Sequence, residues 1–521
     1  VGSNALCTNV TSDSNTAVGY FALKVNTAAN NTAVGMETLC KNTTAPDNIA
    51  VGVRALCANT TGCRNVAIGV NALRSQTGNG HCNTAIGYNA MIYSDGGGCN
   101  TAVGALALET NASSDTCNTA VGVRALCSNQ GNNNVAVGAL ALDKNAAADN
   151  NTAVGTLASA CNTTGSSNVA VGSSALKTAT TSSNSTAIGF EALLNNNGSN
   201  NTAVGRDSLK NNTSGTSNVA MGKCGLCANT TGQQNTALGI EAMHFGTTGS
   251  FNTALGAFTL GASDVNTGDS NVAVGRKTMF DNTSGAKNVG VGSSALENNT
   301  TAACNTAVGH VAMQINTTGA NNTALGFCSL YANTTGESNV AVGDRSGLAV
   351  TTGSSNILVG ERAACGLTTG SGNIVVGQGA SQATLTGGCN TVIGYQGLLD
   401  ATSAACNIAI GYRAMFEHVD ASLNVAIGHC ALSNTTSIGN QTAVGTCALR
   451  ANTTGHSNTA FGYFAACANT TGCFNTALGR EALQTKTTGD LNTAVGYQAL
   501  HLTTQGQYNT AVGGHALDAV T

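Results

Sequence analysis

Along the chain, apolar and polar positions recur in a fixed order: a β-branched residue, a small residue, a larger apolar residue and a glycine, then two variable positions, an apolar pair and a polar run. Thr16-Ala17-Val18-Gly19 followed by Ala22-Leu23 is one instance, and Thr476-Ala477-Leu478-Gly479 followed by Ala482-Leu483 is another. The unit reads roughly Asn-Thr-Ala-Val-Gly-x-x-Ala-Leu-x-x-Asn-Thr-Thr-Gly-x-x and returns about every 17 residues, from Gly2 to Gly513. A repeat this short and faithful builds a solenoid, in which each unit packs only on its neighbours. The residues one and three before the glycine share one strand face, because side chains alternate along a strand. The pattern therefore predicts an all-β chain, a single elongated parallel β-solenoid of about 31 coils, with the series Val18, Val34 and Val51 facing inward. The intervening Ala column (Ala17, Ala33, Ala50, Ala67) is then expected to form a small, flat outer surface against which another chain packs.

The Ala-Leu pair after the glycine breaks strict alternation. It fits a second short strand at a bend or, as the alternative, one helical turn per coil, since units such as Gly479-Arg480-Glu481-Ala482-Leu483 consist of helix formers. Asn stands four places before the glycine, interrupted only by Ser185 and Gln441. Such a column fits a ladder of stacked amides or a plain turn position. One continuous domain, 1–521, is expected. Val1-Gly2 falls inside a unit, so the chain reads as a piece of a longer fibre protein.

Composition narrows the function. Charged residues make up 8% of the chain, the net charge is -4 and aromatics are 4%, which makes neither nucleic acid nor an anionic membrane a partner. No apolar run is long enough to span a bilayer. An active site needs different groups converging in one place, whereas a repeat supplies the same groups everywhere. The histidines, among them His81, His244, His310, His429 and His515, occupy variable positions and read as solvated. No phosphate-binding glycine motif follows a strand and no calcium-loop pattern recurs. No catalytic, cofactor-binding or metal-binding residues are therefore expected. Cys224 and Cys227 form a Cys-x-x-Cys pair, and Cys82, Cys99 and Cys117 a column, but neither has a second pair at zinc spacing nearby.

Cysteine is nonetheless frequent, at 20 residues, which points to an oxidising, extracellular setting. Cys57 and Cys63, like Cys467 and Cys473, flank the loop Cys-Ala-Asn-Thr-Thr-Gly-Cys. Cys430 and Cys447 share a column in successive units, as do Cys389 and Cys406. Stacked neighbours ~4.8 Å apart lie within disulfide reach, so these eight are the disulfide candidates. The Asn-x-Ser/Thr sequence recurs at one place after the glycine, at Asn42, Asn59, Asn162, Asn229, Asn299, Asn316, Asn333, Asn452 and Asn469. On an exposed loop these would carry covalent glycans and clothe one edge in sugar.

Asn65-Val66-Ala67-Ile68-Gly69 followed by Ala72, and Asn424-Val425-Ala426-Ile427-Gly428 followed by Ala431, resemble the head repeats of YadA-type trimeric autotransporter adhesins and the related repeats of phage and algal-virus tail fibres. The resemblance implies a left-handed parallel β-roll, trimeric in adhesin heads, on a surface-exposed fibre. The unit here is longer, has Leu after the Ala and carries an Asn-Thr-Thr-Gly loop. The expected function is an extracellular structural fibre on a cell or virion surface, built with copies of itself or related solenoid subunits. The alternative is an adhesin fibre that binds a receptor or glycan. Ice binding is set aside because the Thr column is expected to face inward.

Overall fold

The computed structural model describes residues 1–111, 115–261, 265–436 and 439–518. It is a parallel β-solenoid of about 29 turns rather than 31, and no helix occurs among the described residues. Each turn contributes one three-residue strand to a parallel sheet, and short strands at Tyr93–Ser94, Thr110–Asn111 and Ser128–Asn129 form a minor second sheet. The chain divides into two compact units, Val1–Phe258 with Val265–Thr267, and Thr259–Asp264 with Gly268–Thr521.

In the first unit the register is unit on unit: Thr16 opposite Thr32, Ala17 opposite Ala33, Val18 opposite Val34. The second unit repeats it, with Val289 opposite Thr306 and Val291 opposite Val308. The facing of the strand is the reverse of the expectation. Ala33, Ala50 and Ala67 have no exposed surface, whereas Val18 is 42% exposed and Val308 37%. The larger residues of the Val18, Val34 and Val51 series line the outer face, and the Ala column lies inside.

The physical reason lies in the turn after the glycine. The residue two places on and the Leu four places on both adopt positive φ, as at Phe21 (58°) and Leu23 (50°). These left-handed residues fold the chain back so that both Ala22 and Leu23 point inward and are fully buried. This is turn backbone, not a helical turn, and the Leu it delivers fills the lumen, leaving room opposite for only a methyl group. The exceptions obey the same volume limit. Leu358 replaces the inner Ala where Gly347 replaces the Leu, and a methyl on Gly347 would lie 2.7 Å from Leu358 Cδ1. Conversely Gly290 takes the Ala place beside Met279, whose Cε would be 3.0 Å from an added methyl.

The glycine after the strand is fixed by its neighbour above. Gly155 has φ of 134°, and a methyl there would lie 2.6 Å from the Gly172 carbonyl oxygen. Backbone groups of the turn pair with the next turn as the strand does: Leu23 N–H donates to the Thr38 carbonyl (3.1 Å) and Thr163 N–H to the Thr180 carbonyl (2.9 Å). Buried peptide groups outside the strand are thus satisfied by stacking.

Two amide ladders run inside each unit. In the column before the strand, Asn305 Oδ1 accepts from Asn322 N–H (2.8 Å) and Asn305 Nδ2 donates to the Gly319 carbonyl (2.9 Å). At the interruptions the ladder continues but lengthens: Asn201 N–H reaches Ser185 Oγ at 3.4 Å and Asn458 N–H reaches Gln441 Oε1 at 3.2 Å. The second ladder is the column seven places after the glycine. Asn316 Nδ2 donates to Asn299 Oδ1 (2.9 Å) and to the carbonyl of Gly319 (3.0 Å).

Candidate functional site

The second ladder consists of the residues that form the sequon column. Asn42, Asn59, Asn229, Asn299, Asn316, Asn333 and Asn452 have no exposed surface, and Asn162 and Asn469 expose 1%. Their Nδ2 groups, the atoms to which a glycan attaches, are held in the ladder, as at Asn59, which donates to Asn42 Oδ1 (2.9 Å) and the Gly62 carbonyl (2.9 Å). Sugar at these nine positions is incompatible with the folded turn, which corrects the expectation. A different sequon set is exposed: Asn30, Asn150, Asn184, Asn200, Asn321 and Asn440 precede the first ladder and face solvent. Glycopeptide mapping of chain secreted by a glycosylating host is expected to find sugar within this exposed set and none on the nine ladder asparagines. Occupancy at Asn316 or Asn333 in folded chain would refute it.

No cysteine sulfur lies at disulfide bonding distance from another among the described residues. Cys57 does not turn toward its loop neighbour Cys63. It lies 2.9 Å, Sγ to Sγ, from Cys40, which holds the same place one turn earlier, while Cys63 Sγ lies 3.2 Å from His81 Nδ1. Asn59 and Gly62 run inward between Cys57 and Cys63 and separate them, whereas stacking brings column neighbours together. The hydrogen bond from the Cys40 thiol pulls Cys57 down to about 7 and pushes Cys40 up. The second loop pair separates in the same way, with Cys467 buried and Cys473 N–H donating to Asp490 Oδ1 (2.8 Å). Burial, with Cys447 in the same column of the next turn adding to it, pushes the Cys430 thiol up, and Cys389 and Cys406 are exposed in one column. Equilibration with oxidised glutathione is expected to link Cys40 to Cys57, the two thiols passing two electrons and two protons to the glutathione disulfide. A non-reducing peptide map showing Cys57 joined to Cys63 instead would refute this order.

The histidines are not uniformly solvated. His418 occupies the second ladder, fully buried, with its Nε2–H donating to the Ala421 carbonyl (2.8 Å), and burial holds it below the usual imidazole range. His244 is half-buried, and its ring nitrogen and the sulfurs of Cys224 and Cys227 all lie within 4.8 Å of one another. The sequence offered that signal in the spacing of 17 between Cys227 and His244, one unit apart.

The outer face of the sheet exposes a repeated set of side chains. Its two strand columns contain no charged residue: one is Thr, Val or Ile, the other Val, Ile, Leu, Met or Phe. Ile49 and Ile357 are 43% exposed, Leu255 46% and Phe461 52%. A third column, directly after the glycine, adds aromatic rings that stack from turn to turn, Tyr395 on Tyr412 at 5.5 Å and Tyr412 on His429 at 4.9 Å. Thr therefore points outward, which removes the earlier ground for setting ice binding aside. The neighbouring column, however, carries no hydroxyl at any rung, so the face is predominantly apolar. No helix among the described residues is long and apolar enough to cross a membrane. No protein-family model matches the chain, and no curated protein matches it.

Proposed function

We propose that the protein is an extracellular structural fibre subunit without catalytic function, whose outer sheet face packs against the same face of further copies. The observation that carries this reading is the pair of uncharged strand columns, one wholly apolar and the other Thr, Val or Ile, repeated from turn to turn. Contiguous exposed apolar patches beyond a few hundred Å² mark interaction surfaces in soluble proteins. Each rung leaves two side chains partly exposed, up to 43% at Ile49 and 52% at Phe461, on the order of 100 Å² together, so roughly eight rungs supply the ~800 Å² per partner that a standard interface buries. A second copy fits because the face repeats itself at strand spacing and apposed sheets interdigitate across ~10 Å. The likeness to trimeric adhesin heads and tail fibres agrees with such assembly. A column disulfide at Cys40 and Cys57, and sugar on the exposed sequons, would suit an extracellular location.

Sedimentation velocity and electron micrographs of the reduced chain test the reading. Concentration-dependent oligomers that dissociate when the face is charged support it; a monomer at high concentration refutes it. The adhesin alternative draws on the variable places after the glycine, such as Glu361, Arg362, Gln378 and Gln396, which line a polar surface depression. Glycan-array binding by monomeric chain would favour it.

A further inference from the structure

We propose that Cys224, Cys227 and His244 form a binding site for a soft metal ion, zinc(II), that ties two successive turns together. In the turn opened by Gly222 cysteine occupies both the second and the fifth place after the glycine, a coincidence found in no other turn. The next turn, opened by Gly239, brings His244 to the fifth place, directly over Cys227. Backbone pairing fixes that register: Leu226 N–H donates to the Ala242 carbonyl (2.9 Å) and Ala228 N–H to the His244 carbonyl (3.1 Å). The solenoid therefore places a nitrogen and two sulfurs together without any loop of its own.

The geometry is close to that of a bound ion. The three donor atoms lie within 4.8 Å of one another, and all three residues are half-buried. A tetrahedral zinc site, with Zn–S of about 2.3 Å and Zn–N of about 2.0 Å, needs donor separations of roughly 3.5–4 Å. Side-chain rotation closes that difference while the backbone ladder stays in place. Two thiolates and one imidazole select zinc or copper(I) over the oxygen-seeking ions. Asp207 and Glu241 occupy the second place in the turns before and after Cys224, so the charge of the two thiolates is left for the bound ion to balance. Their counter-ions already sit to the side, Lys210 Nζ at 3.2 Å from Asp207 and Lys223 Nζ at 3.8 Å from Glu241.

On binding, each thiol exchanges its S–H bond for an S–Zn bond and releases one proton to solvent, with no change of oxidation state. Three protein donors leave the fourth position to water. The ion joins the turn of Cys224 and Cys227 to that of His244, a cross-link that needs no oxidant.

Cobalt(II) titration of the reduced full-length chain, followed by displacement with zinc, tests the assignment. The expected result is one equivalent of cobalt with tetrahedral d–d and thiolate charge-transfer bands. His244→Gln is expected to weaken binding at least about tenfold, and Cys227→Ser to remove the charge-transfer band of this site. Cys40→Ser should leave both signals unchanged. Absence of tetrahedral bands in the parent chain, or bands of equal strength and affinity in His244→Gln and Cys227→Ser, would overturn the proposal.

Discussion

Replacing Ala307 by Asp is expected to open the solenoid locally, whereas the same change at the adjacent Val308 should leave the fold intact and abolish self-association. Ala307 has no exposed surface and faces the packed Leu column, so its carboxylate would enter a lumen with no counter-charge. An uncompensated buried charge costs about 3–5 kcal/mol. Val308 is 37% exposed on the outer face, and a surface change there is worth about 1 kcal/mol or less. Each turn contacts only its neighbours, so the Ala307→Asp lesion should appear as a local loss of hydrogen-exchange protection and a new proteolytic site near that turn. A chain in which Val308→Asp is the more damaging of the two would invert the facing of the strand. If Val308→Asp, combined with like changes at Leu325 and Val342, still assembles, the outer face is not the packing surface.

The second large effect is expected at Lys486, where the stack carries a defect. Lys486 stands in the second ladder, 1% exposed, where Asn469 stands one turn earlier. The Lys side chain bonds the Gly506 carbonyl, and Asn469 Oδ1 is left buried without a donor. The same orphan closes the asparagine run at Asn333, which is followed one turn later by Val350. Burial lowers the Lys486 ammonium to about 8 from 10.5, with Asp490 opposing the shift. Below pH 8 the folded chain therefore holds a buried cation and bears the full penalty. Between about 8 and 10.5 the unfolded chain keeps a proton that the folded chain has released, so stability rises with pH over that window. Lys486→Asn removes the cation and offers an Nδ2 donor to Asn469, for an expected gain of about 1–2 kcal/mol at pH 7. Denaturation at pH 7 and pH 10 checks it: the advantage of Lys486→Asn should shrink at the higher pH. An advantage independent of pH would mean the ammonium is not the cause.

The period, the parallel register and the glycine column were legible in the sequence, because each follows from residues that recur at fixed spacing. The Asn column before the strand was legible as a stacking position, and its interruptions at Ser185 and Gln441 are bridged as a ladder requires. The facing of the strand was not. Hydrophobicity alone assigns the larger Val18 to the inside and the smaller Ala17 to the outside. Only the left-handed residues Phe21 and Leu23, whose φ no side-chain pattern reveals, show that Leu23 already fills the interior. The sequon column misled for a related reason: Asn-Thr-Thr-Gly is good turn chemistry whether its amide points out to an enzyme or inward to the next Asn. For the thiols, the identical loop motifs at Cys57-Cys63 and Cys467-Cys473 carry no pairing information, whereas Cys40 and Cys57, 17 residues apart in one column, are brought together by stacking. His244 stands one unit from Cys227 along the chain, and only the stacking of turns brings it over the two cysteines.

The sameness of the rungs has a genetic consequence. A strand displaced by a whole unit meets the same alanines, the same amides and the same glycine carbonyl, so an in-frame gain or loss of one unit by recombination between the repeated coding segments keeps every ladder intact. Length can therefore drift in steps of one turn without loss of fold. The positions that resist such drift are the irregular ones: the paired substitution of Leu358 and Gly347, the Cys40–Cys57 contact, and the turns of Cys224 and His244. Insertion of a unit between such partners would separate groups that the present order brings together.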